Sequence, residues 1–219
     1  MQLIGAWTRQ SGSIAFLMNI QNKGAVPISK AEIQFNKNAF GLTQGVKGPL
    51  PLPPIEPGAQ CNYALPVSFG GPTTDAGTPL TLTLQMALGN STGQIFFFQD
   101  VLPFWVLLSE DGAIPKQDYL ALWKEIPASA ELTKDIPGVK AAPKDIAATL
   151  ASRNLFFVAG STSAGRVANY YSGKFLGNPL LFEIAFTQAN PGTVQCSLKT
   201  KQVALAPLFF PFVTEVLQQ

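Results

Sequence analysis

Residues 109–132 read SEDGAIPKQDYLALWKEIPASAEL, and the chain changes character there. Before this stretch come short apolar runs that alternate with polar residues and are broken by Gly and Pro, the pattern of strands and turns. Within it lies the first helical pattern. Pro115 suits the first helical position, where its missing N–H would have no partner anyway. Pro127 marks a stop a few residues past the helix end. At about 100° per residue, Tyr119, Leu122, Trp123 and Ile126 share one face. Taken by pattern alone, that face points into a core.

Toward the N-terminus, residues 1–102 read as all-β. Leu3–Thr8 and Ser13–Gln21 form two strands around the turn Gln10-Ser11-Gly12, and Ile14, Phe16, Met18 and Ile20 alternate toward one core. Ala31–Asn36 follows, with Ile33 and Phe35 inward, then Cys61–Val67, Leu80–Leu88 and Gln94–Phe98. The Pro-rich run Pro49–Gly58 lacks ladder donors and is expected to cross between sheets. Gly70–Pro79 is expected to be a polar loop. Asn36 and Asn38 can hydrogen-bond their own backbone, so Gln34–Gly41 is expected to form a structural corner. Short strands at this spacing predict an immunoglobulin-like β-sandwich.

Toward the C-terminus, residues 103–219 change to α+β. Strands are expected at Pro103–Leu108 and Glu131–Ile136, and a short helix at Pro143–Ser152 with Ile146 and Leu150 on one face. Four further strands are expected at Asn154–Ala159, Val167–Phe175, Leu180–Thr187 and Thr193–Thr200. Gly160–Arg166, Gly177-Asn178-Pro179 and Asn190-Pro191-Gly192 separate them. Leu205, Leu208, Phe209, Phe212, Val213, Val216 and Leu217 follow helical spacing. That helix is expected to begin near Leu208, with Pro211 in its first turn, since a deeper proline costs about 3 kcal/mol. The expected fold is β-rich with two subdomains: an N-terminal immunoglobulin-like β-sandwich (1–102), then an α+β platform of antiparallel sheet and flanking helices (103–219).

Composition narrows the function classes. Of 219 residues, 47% are hydrophobic and 13% charged, with a net charge of +2. A nucleic-acid binder carries a basic stripe, so none is expected here. No apolar run is long enough to cross a membrane, and the N-terminus lacks a signal peptide's apolar core. The chain has no His and no CxxC pair, so neither metal nor other cofactor is expected, and the Ser/His/Asp triad is missing. Cys61 and Cys196 are expected to be free thiols acting as small buried hydrophobes.

Two stretches carry a family resemblance. SEDG at Ser109–Gly112 and YLALWKEIP at Tyr119–Pro127 resemble the platform of the C-terminal appendage, or ear, of a β-adaptin, the large β subunit of clathrin adaptor complexes. IQFNKNAFG at Ile33–Gly41 is similar to the IQFNKNxFG of the same appendage. The resemblance implies a sandwich followed by a platform, with no catalysis. It implies an interaction hub for short Phe/Leu-containing motifs of accessory proteins and for clathrin, joined through the rest of its chain to an adaptor heterotetramer. Its place would be cytoplasmic, on clathrin-coated membranes of the plasma membrane, the trans-Golgi network or both, without inserting into them.

Carried over residue by residue, Trp123 matches the platform tryptophan and Lys124 its neighbour. Glu131 and Glu183 match acidic residues of the platform, and Tyr170 matches a tyrosine of its groove. The implied roles are Trp123 and Tyr170 as walls for Phe anchors, with Glu131 and Glu183 attracting the basic end of a helical ligand. Tyr170 and Tyr171 are adjacent, so alternation puts one in the core and one out. Ser161 stands where some members carry a basic residue, with Arg166 close but shifted. On the sandwich, Phe97 stands in place of a site tyrosine. Gln85 and Ala87 match its neighbours, and Gly89 replaces a lysine, which makes this second site the weaker one. Competing readings are an appendage of another coat complex (coatomer γ or a clathrin-independent adaptor), an extracellular β-sandwich binding module with Cys61 bridged to Cys196, and a glycosidase-like enzyme using Asp100, Glu110 and Asp111.

Overall fold

Ser11 and Gly12 both take positive φ, 51° and 79°. This two-residue turn matches the right-handed twist of a strand pair. It joins β1 (Gln2–Gln10) to β2 (Ser13–Gln21), with Gln10 facing Ser13. The structure, a computed structural model, describes residues 1–72, 80–140, 142–187 and 192–219. The chain divides into two units, Met1–Val106 and Leu107–Gln219. Most of the expected loop Gly70–Pro79, and Asn190-Pro191 of the expected turn, lie outside the described residues.

The first unit continues with β3 (Ala31–Phe35), β4 (Leu42–Gln44), β5 (Gln60–Phe69), β6 (Thr83–Asn90) and β7 (Ile95–Val101). They form two antiparallel sheets, ordered β1-β2-β5-β4 and β3-β6-β7. Ile14, Phe16, Met18 and Ile20 are all buried, as are Ile33, Phe35, Leu84, Met86 and Leu88 of the other sheet. The Trp7 ring spans both layers, its centroid 4.7 Å from Phe16 and 6.1 Å from Phe35. Its indole N–H donates to Asp100 on β7 at 2.9 Å. At Gly5 a Cβ would come within 2.2 Å of the Phe16 ring, so glycine lets that ring lie close against β1.

The Pro-rich crossing is held by backbone bonds between Ile28 and Ile55 and from Leu50 to Ala31, and by one buried amide. Asn22 Nδ2 donates to the carbonyls of Val26 and Ile55, each at 2.8 Å, and its Oδ1 accepts from the Gly24 N–H at 2.9 Å. Asn38 organises the IQFNKNAFG corner in the same way. Its Oδ1 accepts from the N–H groups of Phe40 and Leu42, and its Nδ2 donates to the carbonyls of Asn36 and Leu42. A side chain thus satisfies backbone groups that the turn takes out of the ladder. The strand expected at Pro103–Leu108 is instead a 3-10 turn, Phe104–Leu107. Pro103 has no N–H to give a ladder, and its carbonyl accepts from Val106 at 3.0 Å to close the turn.

The second unit contains α1 (Lys116–Glu125), β8 (Glu131–Pro137), α2 (Pro143–Ala151), β9 (Phe156–Ser163), β10 (Arg166–Phe175), β11 (Asn178–Thr187), β12 (Thr193–Lys199) and α3 (Ala206–Gln218). The strands form one antiparallel sheet, ordered β8-β12-β11-β10-β9. Residues 160–166, expected as a loop, are mostly strand. The turn is only Ala164-Gly165, both at positive φ, and Leu176-Gly177 turns the next hairpin in the same way. Pro115 is the cap of α1 rather than its first helical residue, so the helix begins one residue later than expected, at Lys116. Helix α3 starts at Ala206, so Pro211 lies inside it. The bond it removes would have gone to the carbonyl of exposed Pro207 near the N-terminus, where water can serve, and burial of Phe209, Phe210, Phe212, Val213 and Val216 holds the helix.

Alternation on β11 sends Phe182 and Ile184 to the face that packs against α3. Tyr171 stacks on Phe182 at 5.0 Å, and Phe182 meets Phe209 edge-on at 5.1 Å. Both cysteines are free thiols. Cys196 is buried, as expected, but Cys61 is only half-buried near the start of β5.

Candidate peptide-binding site

The other face of the platform sheet is built in register. Glu131, Lys199 and Leu181 face one another across β8, β12 and β11. The next row is Thr133, Ser197, Glu183 and Tyr170, and the one after it Asp135, Gln195, Ala185 and Ala168. Helix α1 lies over the first of these rows, where Tyr119 and Ile126 pack with Leu181 in a buried cluster. Beyond the helix the face stays polar. A cavity of about 210 Å³ there is lined by Asp135, Arg166, Ala185, Thr187, Thr193 and Gln195.

Tyr119 joins the helix to the sheet. It is only 3% exposed, and its hydroxyl donates to the Phe182 carbonyl at 3.2 Å. Its ring stacks on Trp123 at 5.5 Å and leans on Tyr170 at 5.8 Å. Burial, reinforced by the nearby Glu183 carboxylate, holds its phenol protonated well above the ordinary range. Trp123 and Tyr170 are each half-buried, so both retain ring surface toward solvent. Tyr171, the other of the adjacent pair, is fully buried under the helices, and burial pushes its phenol up to about 12. A bulge between Tyr170 and Tyr171 marks where β10 shifts register against β9.

Two pairs of opposite charges lie on this face, Lys199 with Glu131 and Arg166 with Glu183, while Asp135 is exposed. Lys199 is 6% exposed. Its ammonium donates to the Trp123 carbonyl at 2.7 Å, lies 5.1 Å from the centroid of the Trp123 ring and stands 3.8 Å from Glu131. It therefore satisfies a carbonyl orphaned at the C-terminal turn of α1, where a cation is also favoured by the helix dipole. Glu183 forms an ion pair with Arg166, two turns of the β10 pleat from Tyr170. Lys124 is exposed.

The SEDG segment fixes where α1 enters. A Cβ on Gly112 would lie 2.9 Å from the Gly173 Cα, so only glycine lets the two backbones pass. Ser172 Oγ donates to the Gly112 carbonyl at 2.9 Å, the Ser109 N–H to Lys174 O at 2.8 Å, and Lys174 pairs with Asp111 at 2.6 Å.

On the first unit, Phe97 is 80% exposed on edge strand β7, directly opposite Ala87. Gln85 is exposed and Ala87 half-buried on the neighbouring strand, and Asn36, Gln85, Met86, Phe98 and Gln99 line a shallow cavity beside the ring. Ile95 and Val101 are exposed on the same strand. The sequence marks Trp123 and Tyr170 as site residues and Tyr119 only as a core neighbour of Trp123. The one available signal for Tyr119 was its four-residue spacing from Trp123 on a helix. Among the described residues, no group of three or more His, Cys, Asp or Glu is placed to hold a metal ion, and no helix is long and apolar enough to cross a membrane.

Residues 109–217 match the family model described as the beta2-adaptin appendage, C-terminal sub-domain. The chain belongs to the β-adaptin appendage family. The appendage is also similar over most of its length to β subunits of AP-1 complexes. It is 32% identical over 203 residues to AP-1 complex subunit beta-1 of Homo sapiens, covering 92% of this chain and 21% of that protein. With AP-1 complex subunit beta of Dictyostelium discoideum it shares 29% identity over 213 residues, covering 95% of this chain and 22% of the relative. The chain thus spans about a fifth of the length of these curated relatives.

Proposed function

We propose that this appendage is the non-catalytic interaction module of a clathrin adaptor β subunit, and that its platform binds short peptides with Phe or Leu anchors between Trp123 and Tyr170. The observation that carries the reading is the Tyr119-centred ring layer. It holds two half-buried aromatics against one rigid residue beside an open sheet face. Rigid aromatic walls offer large contact area at small entropic cost, which suits a short helical ligand that orders on binding. Affinity at one site should be on the order of micromolar, because a disordered ligand loses entropy when it binds. Several motifs engaged at once in a coat would raise the avidity.

Phe97, with Gln85 and Ala87, is the proposed second contact for such motifs on the sandwich. Clathrin and accessory proteins would be the partners, and the parent heterotetramer would hold the appendage on a cytoplasmic coat. The relatives named are AP-1 subunits, which favours Golgi and endosomal coats over the plasma membrane. Calorimetric titration of a helical Phe-x-x-Phe/Leu-x-x-x-Arg peptide tests the platform reading. Micromolar binding by the wild type, lost in Trp123→Ala with circular dichroism unchanged, is the expected result. A folded wild type that binds no such peptide overturns it.

A further inference from the structure

Two carboxylates stand beside the proposed aromatic walls, and each has a cation of the chain near it. Glu183 faces Tyr170 across the β10–β11 ladder and is ion-paired with Arg166. Glu131 faces Lys199, whose ammonium is 3.8 Å away and fixed beneath the C-terminal turn of α1. The four charges sum to zero within the chain. A bare carboxylate next to an aromatic wall would recruit a cation from the ligand, since a charge-assisted pair in a part-buried setting is among the stronger polar contacts. Here a cation of the chain is already bound to Glu183, and the one nearest Glu131 is 3.8 Å away.

The geometry points to Arg166 as a specificity-determining residue of the platform. It occupies the cation position against Glu183, so the groove selects peptides by their apolar anchors and is indifferent to charge at the ligand's end. This rests on the platform reading above. The two partners differ in accessibility: the Glu183 side chain is 14% exposed, while that of Arg166 is 43% exposed. The carboxylate is therefore held in the face, and the guanidinium covers it from the solvent side. A ligand cation could reach Glu183 only by displacing Arg166. That exchanges one ion pair for another and leaves a guanidinium to be resolvated, with no net charge gained. Lys199 cannot play the same exchangeable part, because it is buried and also satisfies the Trp123 carbonyl.

The test uses three peptides with identical Phe and Leu anchors that end in Arg, Gln or Glu. Each is titrated calorimetrically against the wild-type chain, Arg166→Gln, and the Arg166→Gln/Glu183→Gln double variant. The wild type is expected to bind all three within about threefold, as for charges that are already compensated. Arg166→Gln is expected to bind the Arg-ended peptide about five- to tenfold more tightly than the Gln-ended one, with that ratio shrinking in high salt. The double variant should return to indifference. Because each ratio is taken on one protein, a general loss of fold cannot produce it. A wild type that already prefers the Arg-ended peptide about tenfold, or an Arg166→Gln variant with an unchanged ratio, overturns the assignment while leaving the platform site in place. If no peptide binds the folded wild type, the platform site falls and this assignment with it.

Discussion

The two candidate surfaces bring aromatic rings to solvent by opposite means. On the sandwich, Phe97 stands on an edge strand, opposite a single Ala methyl, and is 80% exposed. On the platform, Trp123 and Tyr170 each lean on Tyr119, which is buried and bonded to the sheet backbone. Exposure at Phe97 follows from strand alternation alone. At the platform it results from a helix laid across a sheet, with rings shared between site and core. A ring presented in the first way can be removed without the fold noticing. In the second arrangement, binding and stability draw on the same residues.

The largest expected effect follows from that coupling. Tyr119→Ala should cost the second unit about 3–5 kcal/mol, the range for truncating a buried aromatic. Urea unfolding followed by circular dichroism measures it. Tyr119→Phe keeps the rings but drops the hydrogen bond to the Phe182 carbonyl, and should cost about 1 kcal/mol. If Tyr119→Ala were as mild as Tyr119→Phe, the ring layer would not be what ties α1 to the sheet.

A second break in the comparison is chemical. Burial raises the Cys196 thiol and the Tyr119 and Tyr171 phenols above their ordinary values, and all three lie in the second unit. The folded form keeps these protons while the unfolded chain loses them, so stability is full at neutral pH and falls as pH rises. The decline should begin near pH 8.5 from Cys196, at about 1.4 kcal/mol per pH unit, reaching about 2 kcal/mol by pH 10. Above pH 10 the two phenols join and the slope should roughly triple. Urea midpoints measured from pH 7 to 11 give the curve. In Cys196→Ala the decline should start only near pH 10, and an unchanged onset would show that another group governs it.

How much of this was legible in the residues differs by region in the same way. Strand alternation is a local signal, and Ile14, Phe16, Met18 and Ile20 are buried as their spacing indicated. Asn38 announced a corner because an Asn side chain acts on its own backbone. Pro103–Leu108 reads as a strand in sequence and folds as a 3-10 turn, because apolar content alone cannot separate the two. Pro211 lies deeper in its helix than its missing N–H suggests, because burial outweighs one missing bond. The platform arrangement is non-local. Spacing along α1 brings Tyr119 to Trp123, but the contact with Tyr170 depends on where the helix crosses the sheet. The pairing of Glu183 with Arg166, and of Glu131 with Lys199, depends on strand register that no local pattern specifies.

Trp123→Ala sharpens the comparison at intermediate size. The ring is half-buried, so its removal should cost about 1.5–2 kcal/mol, roughly half of a fully buried aromatic. It should also uncover the Lys199 ammonium, which lies against that ring. Trp123→Phe should recover most of the stability but only part of the peptide affinity, because the smaller ring still covers Tyr119 yet offers less wall. Equal recovery of both would mean that the site needs only an aromatic at this position rather than the indole.

The smallest structural effect belongs to Phe97→Ser. A ring this exposed buries almost nothing on folding, and substitutions at such surface positions stay within about 0.5 kcal/mol. Removing it even takes an apolar group off an edge strand that also exposes Ile95 and Val101, so solubility should hold or improve. The binding consequence is separate from the structural one. If Phe97 is a contact for peptide motifs, Phe97→Ser should abolish the affinity of the first unit while a platform ligand titrates unchanged. That result, together with a Trp123→Ala variant that loses both stability and binding, would establish the contrast between a ring carried on a strand and a ring built into a core. A Phe97→Ser variant destabilised by more than about 1 kcal/mol would break it, because the ring would then be leaning on its own unit as Trp123 leans on Tyr119.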